Sequence, residues 1–343
     1  MSMKKIKVGI NGFGRIGRAF LKIAWDRPEI EIVAVNDLGS IDNMTYLLKY
    51  DTAYGKWKCN DIKHEGEYLV IDGKKIKFLA QKDPTLLPWK DLGVDVVVES
   101  TGIFVTYESC KVHLDAGAKK VVITAPAKDS DGTVGQTILL GVNEEKFGTC
   151  DITSNASCTT NAGSPLIAIL DAGLGVEKAL LNTVHALTNS QPTVDSINKH
   201  NIREGRAGGH NIVPTSSGSA IAVTKAFPKL AGLFDGLAVR VPMITGSLVD
   251  ITFISKKNTT AEEVNSILKK AADEKRWEGI FSVTEEELVS SDIIGSPYGC
   301  IADLGLTRVV GGNLVKVMGW YDNEMGYTYT LVDHVIKTGN FIK

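Results

Sequence analysis

Short Val- and Ile-rich runs alternate with amphipathic runs between residues 5 and 142. The runs with strand character are 5–10, 30–36, 94–99, 120–124 and 137–142, and those with helical spacing are 18–25, 43–50 and 109–116. Strands that alternate with helices form parallel sheets covered by helices. The pattern therefore predicts a doubly wound α/β domain of the kind that binds nucleotides.

The pattern changes after Cys158, where a helical run through Leu170 precedes longer strand-like segments. These segments are 179–187, 237–243, 247–254, 307–310 and 314–320. One covering helix is predicted at 260–275, so a mixed or antiparallel sheet is expected here. We predict an α/β protein with a nucleotide-binding domain at residues 1–157, joined by a C-terminal helix within 324–343, and an α+β domain at 158–323.

The composition excludes several classes of partner. The 38 Lys and Arg residues are matched by 40 Asp and Glu residues, for a net charge of −2, so no attraction to nucleic acid or to an anionic membrane is expected. No apolar run reaches the roughly 18 residues of a membrane-spanning helix, and no signal region is evident, so we expect a cytoplasmic protein. Five scattered cysteines without CxxC spacing predict reduced thiols and no metal site.

A GxGxxG pattern follows the first predicted strand and opens the first predicted helix. The pattern alone is weak, but this context is that of a Rossmann dinucleotide site. Gly12 allows a tight turn, Gly14 lets the backbone approach a pyrophosphate, and Gly17 lets the helix pack closely on the strand. The amides of Arg15 and Ile16 lie at the helix N-terminus, where anions are favoured. The alternative is a glycine turn without a ligand.

Asp37 lies 20 residues after Gly17, at the end of the second predicted strand. A carboxylate in this position accepts hydrogen bonds from ribose hydroxyls and repels a 2′-phosphate. Residues 38–40 supply no basic side chain that would compensate. The sequence therefore predicts NAD in preference to NADP; the alternative is that Asp37 is only a turn residue.

Cys158 follows small polar residues and precedes an apolar helical run. Asn155 or Ser157 would cap that helix, which places Cys158 in its first turn. N–H groups and the helix dipole stabilise a thiolate there, so Cys158 is the candidate nucleophile. An isolated cysteine is more often a small buried apolar residue, and this is our interpretation of the other four.

His185 ends a predicted strand and precedes a polar loop. Catalytic groups commonly occupy such strand ends, so His185 is the candidate base for Cys158. The alternative is a structural histidine with satisfied hydrogen bonds. The remaining histidines lack a comparable setting; they are His64, His113, His200, His210 and His334.

Motifs spread along the whole chain resemble those of the glyceraldehyde-3-phosphate dehydrogenase family. They are NGFGRIGR at 11–18, AVND at 34–37, KYD at 49–51, ESTG at 99–102, ASCTTN at 156–161, PTSSG at 214–218, RVP at 240–242 and WYDNEMGY at 320–327. The resemblance implies a homotetramer that oxidises glyceraldehyde 3-phosphate with NAD and inorganic phosphate. It implies that Cys158 attacks the aldehyde while His185 takes the thiol proton, and that phosphate then releases 1,3-bisphosphoglycerate from a thioester.

The resemblance also assigns residues to binding sites. The substrate's own phosphate would be bound by Thr188 and Arg240, and the attacking phosphate by Ser157, Thr159, Ser217 and Gly218. Thr124 and Asn323 would lie beside the nicotinamide, and Lys82 near the adenosine half.

One departure from the family pattern concerns phosphate. Glu204 stands where the family generally has the second of two adjacent arginines, the one that faces phosphate. Either phosphate affinity is low, or Arg203 or Arg206 compensates. If Arg206 has taken over the role, Glu204 would orient it through an ion pair. Two other functions remain as alternatives: a related dehydrogenase acting on another phospho-aldehyde such as erythrose 4-phosphate, and a non-enzymatic NAD-binding protein. The presence of both Cys158 and His185 disfavours the second.

Overall fold

A computed structural model describes residues 5–199 and 201–342. His200 and the outermost residues of the predicted domain spans, 1–4 and 343, lie outside the described residues. The chain divides into two compact units: unit 1 comprises residues 5–138, Glu144–Ala156 and 331–342, and unit 2 comprises Leu139–Asn143 and Ser157–Thr330. No helix in the described part of the chain is both long and apolar enough to cross a membrane.

In the part of the chain that the structure describes, unit 1 contains a nine-stranded sheet, a two-stranded hairpin, three complete α-helices and the last turns of a fourth. The strands are β1 (Ile6–Asn11), β2 (Ile30–Asn36), β3 (Tyr50–Asp51), β4 (Gly55–Lys56), β5 (Ile62–Glu65), β6 (Tyr68–Ile71), β7 (Lys74–Leu79), β8 (Val96–Glu99), β9 (Lys120–Ile123), β10 (Gly135–Thr137) and β11 (Ile152–Ser154). The helices are α1 (Arg15–Ala24), α2 (Ile41–Lys49) and α3 (Tyr107–Asp115). The order of the sheet is β10-β11-β9-β8-β1-β2-β7-β6-β5, and β3 pairs with β4.

The sheet of unit 1 is parallel from β10 to β7, which confirms the predicted architecture. At its other edge, β5, β6 and β7 form an antiparallel meander that the prediction missed. The turns of the meander contain Gly66, Asp72 and Gly73, all with positive φ. An Asp-Gly pair between alternating strands is a recognised hairpin signal, so the sequence did carry this information.

Two element boundaries before residue 143 differ most from prediction. Helix α1 begins at Arg15 instead of residue 18, because the GxGxxG segment itself forms the first helical turn. The predicted strand at 137–142 ends at Thr137. Beyond it the chain turns, with Gly141 at φ +72° and the Leu139 N–H donated to Asn143 Oδ1 at 2.7 Å. The apolar residues 138–140 are buried, as expected for a strand, but they lie in a turn.

Unit 2 is built on an eight-stranded sheet. Its strands are β12 (Val176–His185), β13 (Val213–Ser216), β14 (Phe234–Arg240), β15 (Ser247–Ser255), β16 (Phe281–Thr284), β17 (Cys300–Asp303), β18 (Arg308–Val310) and β19 (Leu314–Tyr321). The remaining α-helices are α4 (Cys158–Leu174), α5 (Ser219–Ala226), α6 (Ala261–Ala272) and α7 (Met325–Gly339). The boundary between the two units falls inside α7, after Thr330.

The sheet of unit 2 is mixed, as predicted. Its order is β13-β14-β12-β15-β19-β17-β16, with β18 paired to β19. The pairs β12–β14 and β16–β17 are parallel, whereas the others are antiparallel. Helix α4 is buried along most of its length and packs against β12. This packing positions the two residues singled out as nucleophile and base.

Candidate active site

Cys158 is the first residue of α4 and directly follows the N-cap Ser157. Ser157 Oγ accepts the N–H of Thr160 at 3.1 Å, which satisfies one amide of the first turn. Ala156 has φ of +55°, a left-handed conformation that a residue with a Cβ rarely adopts. Strain of this kind concentrates at functional sites, and here it immediately precedes the cap.

His185 is the last residue of β12 and is 4% exposed. Its Nε2 lies 3.3 Å from Cys158 Sγ, within hydrogen-bond reach for sulfur. The structure therefore brings the predicted nucleophile and base together. Proton transfer between them needs no further rearrangement of either backbone.

Burial controls the protonation of both groups. It raises the pKa of the Cys158 thiol, against the smaller effects of the Arg240 charge and of hydrogen bonds from Thr159. Burial, followed by the charge of Arg240, lowers the pKa of His185 to about 3. Burial therefore opposes the charged form of both groups, whereas the helix N-terminus and the Arg240 charge favour a thiolate at Cys158. The thiolate expected from the sequence stays a prediction.

Arg240, the last residue of β14, pairs in register with His185 on the neighbouring parallel strand. Its Nη1 lies 2.5 Å from His185 Nδ1 and 3.3 Å from the carbonyl oxygen of Ala186. Its Nε is buried and has no hydrogen-bond partner among the described residues. A guanidinium with an unused N–H donor is suited to binding an anion.

Tyr321, at the end of β19, supports this pair although the sequence analysis gave it no role. Its ring meets the His185 ring edge to face, with centroids 6.0 Å apart. Its hydroxyl lies 2.9 Å from Thr159 Oγ1 and 2.7 Å from Thr183 Oγ1. The sequence signal that could have identified Tyr321 was its position in the WYDNEMGY motif. The Thr159 hydroxyl is buried and hydrogen-bonded to Tyr321. In this arrangement it is not available to bind phosphate.

The N-termini of α4 and α5 lie side by side within unit 2. Ser157 Oγ is 3.0 Å from Ser219 Oγ, and Ser217 Oγ accepts the N–H of Ser219 at 3.2 Å. Gly218 is the N-cap of α5, and the space where a Cβ would stand is open. Two helix N-termini with hydroxyls between them form an environment that favours an anion.

Thr188 is exposed, three residues beyond His185, and its hydroxyl contacts Ser190 at 3.0 Å.

The loop around Glu204 contradicts the predicted pairing with Arg206. Arg206 Nε binds Asp195 Oδ2 at 2.8 Å, so Asp195, and not Glu204, orients it. Glu204 Oε1 instead accepts the hydroxyl of Thr215 at 2.5 Å. Asp195 precedes Arg206 by 11 residues and becomes its neighbour only when the loop folds back, so sequence proximity favoured Glu204.

The predicted dinucleotide residues of unit 1 surround a cleft of about 290 Å³ at the carboxyl ends of β1 and β2. Gly12 has φ of +94°, and a Cβ there would meet the backbone of Ser100 at 2.6 Å. Gly17 packs directly on the carbonyl of Gly12, whereas Gly14 faces open space. The arrangement fits a dinucleotide, since a pyrophosphate needs close backbone approach at Gly14 and at the amides of the following residues.

Three further predicted residues lie in unit 1. Asp37 lines the cleft, and its carboxylate accepts the N–H groups of Phe13 at 2.7 Å and Gly39 at 2.8 Å. Lys82 also lines the cleft and is exposed. Thr124 directly follows β9, and its N–H donates to the Glu99 carbonyl at 3.0 Å. The Arg15 side chain binds Asp51, and Ile16 follows it in the first turn of α1, so both would serve a ligand through their amides.

Asn323 lies in unit 2, two residues after the end of β19, and is 5% exposed. Its Oδ1 accepts hydrogen bonds from Gly246 N at 3.1 Å and Ser247 Oγ at 3.0 Å. These contacts fix the side-chain amide and leave its NH₂ group as the donor for a ligand.

Two family models match the chain: "Glyceraldehyde 3-phosphate dehydrogenase, NAD binding domain" over residues 6–107 and the C-terminal domain of the same family over residues 157–323. The glyceraldehyde-3-phosphate dehydrogenase of Streptomyces coelicolor is 46% identical over 338 residues, which covers 98% of this chain and 99% of the relative. That of Eremothecium gossypii is 44% identical over 331 residues, covering 96% and 98%. The chain thus belongs to the glyceraldehyde-3-phosphate dehydrogenase family, as its motifs predicted, and carries that family's NAD-binding domain.

Proposed function

We propose that the chain oxidises glyceraldehyde 3-phosphate with NAD and inorganic phosphate to 1,3-bisphosphoglycerate, through a thioester on Cys158. The observation that carries this proposal is the 3.3 Å contact between Cys158 Sγ and His185 Nε2 at the N-terminus of α4. A neutral thiol is a weak nucleophile, and an adjacent neutral imidazole is the base that activates it.

The chain's own residues account for the proton and charge steps. His185 Nε2 takes the Cys158 proton as the sulfur adds to the aldehyde carbon, forming a hemithioacetal. NAD, when bound, supplies the hydride acceptor that turns this hemithioacetal into a thioester. A phosphate oxygen then attacks the thioester carbon, the carbon–sulfur bond breaks, and Cys158 regains a proton from His185. The backbone amide of Cys158 and the His185 ring stabilise the oxyanions.

Two anion sites in unit 2 are part of the proposal. Arg240, with its unused buried Nε, and Thr188 are proposed to bind the substrate's phosphate. Ser157, Ser217 and Gly218 at the paired helix N-termini are proposed to bind the attacking phosphate. Thr159 would contribute only after its hydroxyl leaves Tyr321.

The cofactor residues keep their predicted roles as proposals. Asp37 would accept the ribose hydroxyls through lone pairs not used by the Phe13 and Gly39 amides, which favours NAD over NADP. Lys82 is assigned to the adenosine half, and Thr124 and Asn323 to the nicotinamide. Unit 1 would then be the NAD-binding domain and unit 2 the catalytic domain.

The proposed assembly is a homotetramer. Large apolar side chains are exposed on one face of the unit 2 sheet, among them Leu180 at 65%, Leu237 at 49% and Leu314 at 40%. A second copy of the chain covering this face would bury them. All five cysteines are free thiols, which suits a reducing compartment such as the cytoplasm.

An assay of NADH formation tests the proposal. Purified protein is supplied with glyceraldehyde 3-phosphate or erythrose 4-phosphate, with NAD or NADP, and with or without inorganic phosphate. We expect the highest kcat/KM with glyceraldehyde 3-phosphate and NAD, multiple turnover only with phosphate, and no activity in Cys158→Ser. Near-normal NADH formation by Cys158→Ser would overturn the mechanism, and a preference for erythrose 4-phosphate would overturn the substrate assignment.

A further inference from the structure

Three buried polar side chains form a hydrogen-bonded row at the carboxyl ends of three neighbouring strands of the unit 1 sheet. Glu99 ends β8, Asn11 ends β1 and Asn36 ends β2. Asn11 is the register partner of both others. Its Nδ2 donates to Glu99 Oε2 at 2.6 Å, and its Oδ1 accepts Asn36 Nδ2 at 2.8 Å. The row therefore links the strands through side chains where Asn11 and Asn36 line the dinucleotide cleft.

The direction of the hydrogen bonds in this row is fixed independently at both ends. At one end the Glu99 carboxylate can only accept, so the NH₂ group of Asn11 faces it and the Asn11 oxygen faces Asn36. At the other end the backbone N–H of Gln81 can only donate, and it reaches Asn36 Oδ1 at 2.9 Å. This bond turns the NH₂ group of Asn36 toward Asn11. Every hydrogen bond in the row therefore runs toward Glu99.

Glu99 is the acceptor at which four donor groups meet. Besides Asn11, its Oε2 lies 2.9 Å from His113 Nε2, which carries the ring proton because Trp89 donates to Nδ1. Its Oε1 accepts the N–H of Thr101 at 2.9 Å and also the Thr101 hydroxyl. The two oxygens of a carboxylate offer about four acceptor positions, so these donors use all of them. A side-chain amide, with one oxygen and an NH₂ group, could not satisfy all four.

The far end of the row anchors the loop that follows β7. The Asn36 side chain bonds both backbone groups of Gln81, since its Nδ2 also donates to the Gln81 carbonyl at 3.0 Å. The Gln81 side chain in turn accepts the N–H of Asp83 at 2.9 Å. Gln81 lines the cleft, as do Lys82 and Pro84 on either side of Asp83. The orientation of one buried amide therefore sets the position of this wall of the cleft.

We propose that Glu99 is a positioning residue for the cofactor. It acts through the two asparagine amides of the row, which preset the loop at 81–84 before NAD binds. The proposal rests on the proposed place of the adenosine half of NAD, beside Asp37 and Lys82. A wall that is ordered in advance lowers the entropic cost of binding. The row thus raises affinity for the adenosine half without taking part in the chemistry at the nicotinamide.

Glu99→Gln tests the role of the carboxylate, because it keeps the shape of the side chain but replaces an acceptor oxygen by an NH₂ group. In either orientation that group faces donors, from Thr101 or from Asn11 and His113. We expect the KM and Kd for NAD to rise about tenfold, the scale of one hydrogen bond to a charged group. The kcat at saturating NAD and the KM for glyceraldehyde 3-phosphate should keep their wild-type values. An unchanged Kd for NAD in the folded variant would overturn the proposal.

Calorimetry with ADP-ribose, which has the adenosine half of NAD but no nicotinamide, locates the effect. If the row positions the loop at 81–84, Glu99→Gln should weaken the binding of ADP-ribose and of NAD by the same factor. A raised Kd for NAD beside an unchanged Kd for ADP-ribose would overturn the proposal, because the effect would then arise at the nicotinamide half.

Asp95→Asn is the matched control, since Asp95 is a second buried carboxylate and directly precedes the same strand, at its opposite end. Its carboxylate accepts the N–H of Lys7 at 3.0 Å and the ammonium of Lys119. The substitution should lower the free energy of unfolding and leave the Kd for NAD unchanged. An equal loss of NAD affinity in both variants would trace the loss to general destabilisation and overturn the proposal.

Hydrogen exchange of the wild type decides if Glu99→Gln does not fold. The N–H of Gln81 should be protected in the free protein, because its bond to Asn36 is present before NAD binds. Exchange of this N–H at the rate of an unstructured chain in the free protein would overturn the proposal. The proposed function fails separately, if wild-type protein forms no NADH from glyceraldehyde 3-phosphate.

Discussion

Each unit of the molecule buries a histidine in a hydrogen-bond network, and the two networks differ in kind. In unit 1, His113 is fully buried, its Nδ1 lies 3.1 Å from Trp89 Nε1, and its Nε2 lies 2.9 Å from Glu99 Oε2. The indole can only donate and the carboxylate can only accept, so one tautomer satisfies both. In unit 2, His185 meets a donor and an acceptor at the same nitrogen.

The difference separates a structural histidine from a reactive one. The His113 network continues to Asn11, whose Nδ2 donates to Glu99 at 2.6 Å, and to the Thr101 N–H, which donates to the same carboxylate at 2.9 Å. Asn11 and Thr101 line the dinucleotide cleft, so the network fixes the wall of a binding site. In His185, Nδ1 has both a donor and an acceptor beside it, while the other ring nitrogen, Nε2, faces the Cys158 thiol. The hydrogen bonds around Glu99 favour a rigid wall, whereas His185 Nε2 lies within reach of a thiol with which it can exchange a proton.

Removing the reactive histidine should have the largest effect on catalysis. His185→Asn is expected to lower kcat by roughly 100- to 10,000-fold, the range for a general base, because it removes the imidazole nitrogen that lies 3.3 Å from the thiol. NAD affinity, measured by calorimetry, should stay within the wild-type range. A kcat within tenfold of wild type would remove His185 from the mechanism.

Removing the structural histidine should act on stability instead. His113→Leu leaves the buried carboxylate of Glu99 short of a donor, and we expect a loss of about 3 kcal/mol in the free energy of unfolding. Urea denaturation of the mutant and of His64→Gln, an exposed histidine of the same unit, measures this. At a temperature where the mutant is folded, kcat should remain close to wild type. A stability equal to that of His64→Gln would contradict the assigned role.

The pH dependence of stability should also distinguish His185. Its pKa is lowered from a usual 6.5 to about 3 in the folded protein, so the unfolded chain binds an additional proton between these values. Stability is therefore complete above pH 6.5 and declines as the pH falls toward 3. Between pH 7 and 5, wild type should lose more unfolding free energy than His185→Gln. Parallel pH profiles would show that the ring is not buried in its neutral form.

The two units also differ in how they hold a carboxylate, and the substitution that tests this difference has the smallest expected effect. Glu99 is held by several donors, whereas Glu204 has one hydrogen bond, to Thr215. Glu204→Arg is expected to lower the KM for phosphate by about tenfold through a new charge-assisted hydrogen bond, without altering NAD affinity. Glu204→Gln, which keeps a partner for Thr215, separates removal of the negative charge from gain of a cation. An unchanged phosphate KM in both variants would place this loop away from the attacking phosphate.

The sequence predicted what depends on local pattern and on motifs. The alternating runs located most strands, the GxGxxG context located the cleft, and the small polar run before Cys158 located the cap. It could not predict contacts that arise from strand pairing. His185 and Arg240 are neighbours because β12 and β14 pair in parallel register, across 55 residues of chain. Likewise, the thiol's protonation depends on burial by side chains from several elements, which local sequence does not encode.

Trapping of the acyl-enzyme tests the central claim most directly. Protein is mixed with glyceraldehyde 3-phosphate and NAD in phosphate-free buffer, quenched in acid, digested and analysed by mass spectrometry. We predict one phosphoglyceroyl group per active chain, on the peptide that contains Cys158, which disappears when phosphate is added before the quench. An adduct on Cys59, Cys110, Cys150 or Cys300, or NADH formation without any adduct, would contradict the proposed thioester mechanism.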